Sequence, residues 1–566
     1  MSKKILQNIF ILFSAMLTWS CAGQVPPGGG PLDTTPPTII RTVPDSNAVH
    51  VKDNSVELEF SEYVDRRTVE ESIFISPYVG ELEFDWSGTG VTIQFSEPLK
   101  ENRTYVVNVG TDVVDLRAHN RMASGFTLAF SSGDSIDHGM ISGRVFDEKP
   151  EGVMIFAYLL SSYNPDTLDP SKVKPDYIMQ TGKNGLFRLS NIAYGRYRVL
   201  AVRDEYKNLL YDKQVDQFGV TVGDTAVTYA NPEVSGLWYR LSQEDTTKPF
   251  LTNVKPANNR RIMMRFSEPL DSISFERGVF TVIDTVEMNA VPLLLWSLNS
   301  VSPSLVDLIT ETPLDSGVAY RCTARNVFDR VGNPIDTANA SVVFEGIATP
   351  DTVRPVAIVR GMADSAKGIP LDQTFWIDFS EPVLHSPLDS SIVLRDSSKT
   401  TVRSTLHWSS AANLQLSPVA LLHSKEWYEI LVPLDSVRDY AGNTWKDTTM
   451  LVRFQSLDLR TTGTIEGDVV DEQKEGKGQI YVTASSVDLT PPRARTILLS
   501  EPGSFTIDRI PEGKYVLKGF RDADSSGSYS FGKPFPFVPS ERFVVSTDTI
   551  RVRARWGAEG VTLKFK

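Results

Sequence analysis

Cysteine is nearly absent: Cys21 and Cys322 are the only two in 566 residues. Two thiols cannot make a disulfide framework for such a chain, so its stability must come from apolar cores. Histidine is scarce too, with six residues, and no Cys–His pair stands out among them. Positive charge is in deficit. Lys and Arg number 57 against 70 Asp and Glu, for a net charge of -13. That deficit argues against nucleic acid as a partner and disfavours electrostatic docking on anionic lipid. Nucleophile elbows and phosphate-binding Gly loops are missing. Carboxylates are plentiful, but nothing in the sequence separates a catalytic pair from solvated strand faces, so no enzymatic activity is expected. Long apolar runs are missing beyond the first twenty residues.

What is present begins at the N-terminus. Lys3 and Lys4 precede an apolar run, Ile9–Leu17, and Cys21 follows. The run is too short to span a bilayer. A basic start, a short apolar core and small residues before the cut make a secretory signal. Gln24–Pro31, rich in Gly and Pro, reads as a tether. The full chain is 41% hydrophobic and 22% charged, as in globular proteins, and its length implies several domains.

Two repeat types organise those domains. The first opens with Thr and Pro at residues 34–37, 246–249 and 352–355. A strand ending in Phe-Ser-Glu follows, with its apolar residues in one phase: Val56/Leu58/Phe60, Ile262/Met264/Phe266 and Phe375/Ile377/Phe379. Strict alternation marks a strand with one buried face. Pro269 and Pro382 then stop the ladder in the last two copies. A Tyr-led strand comes later, at Tyr105, Tyr320 and Tyr428. Its phase places Val107, Cys322 and Ile430 in the core. An Asp-x-x-Gly-Asn turn closes two copies (Asp329–Asn333 and Asp439–Asn443); the first keeps only Asp115 and Asn120.

The second type occurs twice. It opens at Ile141 and Ile465 and continues through Gly185-Leu-Phe187 and Gly503-Ser-Phe505 to Gly195-Arg-Tyr197 and Gly513-Lys-Tyr515. Each copy reads as a small antiparallel sandwich. Short strands between turn residues, without a long amphipathic helix, predict an all-β chain of tandem β-sandwiches. The expected order is a signal (1–20), a tether (21–36), and sandwiches at 37–133, 137–243, 245–347, 351–457 and 462–566. Separate cores on short joints predict an extended array.

The first repeat resembles the bacterial Ig-like domain of surface-layer and cell-envelope proteins. The second resembles the transthyretin-like, carboxypeptidase-regulatory-like domain. The signal ending in Cys21 is similar to that of bacterial lipoproteins, and the whole arrangement is similar to envelope lipoproteins of Bacteroidota. The resemblance implies three Ig-like and two transthyretin-like domains. It implies lipidation of Cys21 and attachment to the outer membrane, with both faces left open. The expected role is a non-catalytic scaffold or a protein- or glycan-binding module; the alternative is an accessory subunit of an outer-membrane secretion, assembly or uptake complex. Expected partners are the membrane, through the N-terminal lipid, and envelope proteins or glycans.

Three features remain as candidate sites. Asp522, Asp524 and Ser526, with Gly527, partly resemble a calcium loop, in which closely spaced oxygens suit a hard cation. Its closing Glu is missing, with Lys533 at that spacing, and a polar hairpin is the alternative. No other cofactor is expected. His423-x-x-Glu426 matches half of a zinc site, but no His follows to complete it, so a loop is expected. Trp86, Trp296 and Trp408 recur at one place in each Ig-like repeat, which argues for a shared core role. Trp376 alternates out of phase with its core neighbours and should face outward.

Overall fold

The computed structural model describes residues 33–299, 301–386, 388–472 and 476–565. The signal, Cys21 and most of the tether lie outside the described residues. Among the described residues strands dominate, and the α-helices are short, at Arg66–Ser72 and Ser272–Phe275. Among the described residues, no helix is long and apolar enough to cross a membrane. The described residues divide into two compact units: residues 33–210 with 223–241, and residues 211–222 with 242–565.

In the first unit, the first sandwich has a sheet in the order Ile39–Val43, Ser55–Phe60, Gly90–Phe95, Leu82–Ser87. Its second sheet is Ile73–Ser76, Thr104–Val109, Phe126–Ser131. Val56, Leu58 and Phe60 meet Tyr105, Val107 and Val109 in one core. In the second unit the same four-strand order recurs twice: Leu251–Pro256, Arg261–Phe266, Leu305–Thr310, Leu293–Leu298, and Ala357–Val359, Phe375–Phe379, Asn413–Pro418, Ser404–Ser410. Each of these also closes a core of its own.

The Phe-Ser-Glu motif explains itself in this setting. Phe60, Phe266 and Phe379 are buried. The following Ser hydroxyl accepts from the opening segment: Thr38 N–H at 3.0 Å, Phe250 N–H at 3.1 Å and Val356 N–H at 3.0 Å. One side chain thus pins the first strand to the second, and the Glu is left at the domain's entrance. The Tyr-led strand is equally regular. Tyr105, Tyr320 and Tyr428 are buried, and each hydroxyl accepts the N–H five residues back, from Lys100 (2.7 Å), Asp315 (2.9 Å) and His423 (2.8 Å). Cys322 lies fully buried in the expected phase, its Sγ 3.5 Å from Met264 Sδ. Burial pushes its thiol up to about 12, so it packs as a small apolar group.

The two copies of the second repeat share a different topology. In the first unit, Leu186–Ile192, Gly139–Phe146 and Glu233–Arg240 form one sheet, and Tyr177–Gln180, Met154–Leu159 and Gly195–Arg203 belong to the other. In the second unit, Gly503–Pro511, Thr462–Asp471 and Gly557–Phe565 correspond to the former, and Ala494–Leu499, Gln479–Ser486 and Gly513–Asp522 to the latter. Neither copy is purely antiparallel as expected. The last strand pairs parallel with the first, Glu233–Arg240 on Gly139–Phe146 and Gly557–Phe565 on Thr462–Asp471. Alternation fixes which face a residue takes but not the direction of its neighbour. Tyr197 and Tyr515 serve as a second kind of corner, each donating to the carbonyl four residues back, Ala193 at 2.6 Å and Pro511 at 2.8 Å. Within 137–243, the segment 211–222 groups with the second unit, where Ser540 Oγ donates to the Val220 carbonyl at 2.9 Å.

Candidate functional site

Strand Gly513–Asp522 carries Asp522 to its end, and Gly527, with φ at 74°, turns the loop that follows. Asp522 accepts Ser526 N–H at 3.0 Å and Gly527 N–H at 2.9 Å. Asp524 accepts the same Ser526 N–H at 2.9 Å and the Ser530 hydroxyl at 2.5 Å. These bonds hold the Asp524 carboxyl below its ordinary range, the Ser530 hydroxyl contributing most. The structure supplies a third carboxylate that spacing did not reveal. Glu541, buried, accepts Ala523 N–H at 2.6 Å and Ser530 N–H at 3.0 Å. Burial, aided by Asp524 and Asp522, raises its carboxyl. One oxygen from each of Asp522, Asp524 and Glu541 lies within 4.8 Å of the others. Ser526 contributes its N–H to the loop, while its hydroxyl donates to the Ser528 carbonyl at 2.8 Å.

An all-oxygen donor set on a Gly turn fits calcium. The same carboxylates also take backbone N–H groups, which is how a polar hairpin is held. Calcium binding has a measurable consequence. At 100 times its dissociation constant, the ion should add about 2.7 kcal/mol to the stability of this sandwich. Hydrogen exchange of peptides covering 513–545 in the full chain should slow on adding millimolar calcium, and Asp524→Asn should abolish the change. Equal exchange with and without calcium would leave the hairpin alone.

A second arrangement recurs in every Ig-like repeat. In the third and fourth sandwiches, the Glu of Phe-Ser-Glu, the Asp of the closing turn and an Asp of the entering joint converge. Asp245, Glu268 and Asp329 bring oxygens within 4.8 Å of one another, as do Asp351, Glu381 and Asp439. In the first sandwich, Asp33 and Asp115 add to burial in raising the Glu62 carboxyl. The turn Asp is a buried acceptor for its own loop: Asp329 takes Val331 N–H at 2.9 Å and Asn333 N–H at 2.8 Å, and Asp439 takes Ala441 and Asn443 N–H, both at 2.8 Å. The turn Asn then clamps the joint. Asn120, Asn333 and Asn443 donate their amides to the carbonyls of Asp33 (3.0 Å), Asp245 (3.0 Å) and Asp351 (3.1 Å). The first copy, irregular in sequence, therefore makes the same clamp with Asp115 and Asn120 one residue further apart.

The other candidates resolve as follows. His423 is exposed, and its Nδ1 lies 3.0 Å from Glu426 Oε2 in the loop before Tyr428. Trp86 and Trp408 pack against their cores and stack on Phe60 (6.5 Å) and Phe379 (5.7 Å). Trp296 departs from the expected core role. Its ring lies 6.1 Å from that of Phe280, and the residue is 39% exposed. Trp376 is partly exposed, beneath the Arg360 guanidinium at 5.6 Å.

No curated protein matches the chain. Similar solved structures include domains 1–6 of the surface-layer protein SbsC, at 9% identity and a TM-score of 0.16, covering 92% of this chain and 66% of that one. The Bacillus anthracis TIE protein is similar at 9% identity and a TM-score of 0.14, over 100% of this chain and 79% of that one. BcpA, the major pilin subunit of Bacillus cereus, is similar at 11% identity and a TM-score of 0.13, over 76% and 99%. The chain thus spans just under two thirds of the SbsC structure. At the level of single domains, residues 33–132 and 351–456 match the family model of the bacterial Ig-like domain.

Proposed function

We propose that this is a lipid-anchored, non-catalytic protein of the cell envelope. It acts as a structural scaffold or as a protein- or glycan-binding module. One observation carries the reading. The turn aspartates Asp115, Asp329 and Asp439 are buried at the same place in the three Ig-like domains and accept the N–H groups of their own turns, whose Asn then clamps the joint. A catalytic centre is built once; a cluster repeated in each domain serves the domain. The bacterial Ig-like match supports an envelope role.

Cys21 is the anchor in this reading. Cys21→Ala should move the protein from the membrane fraction to the soluble fraction or stall its processing, as read by fractionation and immunoblot. A variant that is processed normally and stays in the membrane fraction would overturn the anchor. Co-purification from detergent-solubilised membranes tests the role. Retention on envelope glycan or matrix supports the scaffold, and a stoichiometric barrel partner replaces it with an accessory subunit.

A further inference from the structure

In the fourth sandwich the carboxylate cluster has taken in a neighbour. Arg261 stands at the start of Arg261–Phe266 in the third sandwich, with 14% of its side chain exposed. Its Nε donates to Asp307 at 2.8 Å, within its own domain. Its Nη1 donates to Glu381 Oε2 at 3.0 Å and its Nη2 to the Ser380 carbonyl at 3.3 Å, both in the next domain. Beside it, the buried Asn258 receives Arg260 and Arg261 N–H on its Oδ1 and donates to Asp351 at 2.5 Å. Asn259 N–H reaches the Thr349 carbonyl at 2.8 Å. The joint is therefore bridged by side chains and backbone together.

The charge balance at this joint is uneven. The groups facing Glu381 are Arg261, Asp307, Asp351 and Asp439. Four carboxylates share one guanidinium, in a place where Glu381 and Asp307 are nearly inaccessible to water. Like charges held close out of water repel strongly. We propose that this cluster is a proton-operated latch between the third and fourth sandwiches: a neutral Glu381 closes it, and an ionised Glu381 loosens it. Neutral Glu381 still offers an oxygen to Arg261, so closing keeps the bridge while removing one negative charge.

The direction follows from linkage. Burial and the three aspartates outweigh Arg261 and raise the Glu381 carboxyl to about 7. The closed joint therefore holds this proton more tightly than an opened one does. The stabilisation is complete below the ordinary carboxyl range and is lost as pH rises through about 7. Between pH 6 and 8.5 the opened fraction should grow about tenfold.

The test uses nitroxide labels at Val286→Cys and Ser398→Cys, exposed positions in the third and fourth sandwiches, in the full chain carrying Cys21→Ser. Pulsed electron resonance in EDTA should give one narrow distance at pH 6, with a second population growing about tenfold by pH 8.5. Glu381→Gln, permanently neutral, should stay narrow at both pH values. Arg261→Gln, which lacks the bridge, should be broad at both. A distribution independent of pH in the unmodified latch, a Glu381→Gln response equal to it, or a narrow Arg261→Gln would each overturn the proposal.

Discussion

Asp471→Ala is expected to lower the opening free energy of the fifth sandwich by about 3–5 kcal/mol. Asp471 is nearly inaccessible to water and answers two arginines. Arg521 Nη1 donates to it at 2.7 Å, and Arg542 donates through Nη1 at 2.9 Å and Nη2 at 2.6 Å. Both guanidiniums are themselves almost buried. Arg521 also bonds the Lys477 and Gly476 carbonyls, and Arg542 lies over the Phe565 ring. Neither can swing out to water without breaking these contacts. Removing the carboxylate takes three charge-assisted bonds from two nearly buried guanidiniums, which costs far more than losing an exposed pair. Asp471→Asn should cost less, because an amide oxygen still accepts one guanidinium bond. Several domains preclude a single unfolding transition, so the measurement must be local. Hydrogen exchange of peptides from 462–565 in the full chain gives it. An opening free energy within 1 kcal/mol of the parent would mean that the arginines find water after all.

Phe454→Ala should cost the fourth sandwich about 3–5 kcal/mol for a different reason. Phe454 is fully buried where the two sheets meet. Its ring lies 4.9 Å from Phe375 and 5.5 Å from Tyr428. No polar group is stranded by this change; the loss is the transfer of the ring plus the cavity it leaves. The two neighbouring rings belong to different strands of the sandwich, so collapse into the void would drag both sheets. Exchange in peptides from 351–457 should rise, while peptides of the fifth sandwich should not change. Leu in place of Ala should recover most of the loss by filling the cavity. Trp296→Ala is the useful contrast, because that residue is 39% exposed and its loss should cost much less.

The strands were legible because a period of two is a strong local signal. Tyr320 and Cys322 show it: two residues apart, both buried, with exposed Arg321 between them. Pairing direction was not legible, since Gly139–Phe146 has the same alternation whether Glu233–Arg240 runs with it or against it. The Asp522 loop was legible only in its local half. Glu541 arrives from beyond a long excursion that carries no periodic signal. Likewise, Asp245, Glu268 and Asp329 are each ordinary in sequence and become a cluster only when the sheet brings a joint, a strand end and a turn together. Arg261 was the least visible. It opens a strand in one domain and completes an ionic group in the next, and nothing near it in sequence announces that role.

The parallel closure of the second repeat type has a mechanical side. In the second sandwich, Gly139–Phe146 is the strand by which the chain enters, and Glu233–Arg240 the strand by which it leaves toward the third. Because they run side by side in one direction, a pull along the chain drags them past each other lengthwise. The ladder from Met140–Glu233 to Phe146–Arg240 is then loaded in shear, with its bonds sharing the force. Had the strands been antiparallel, the same pull would peel one bond at a time. A protein tethered at one end and gripped at the other would load this pair of strands along its length rather than bond by bond.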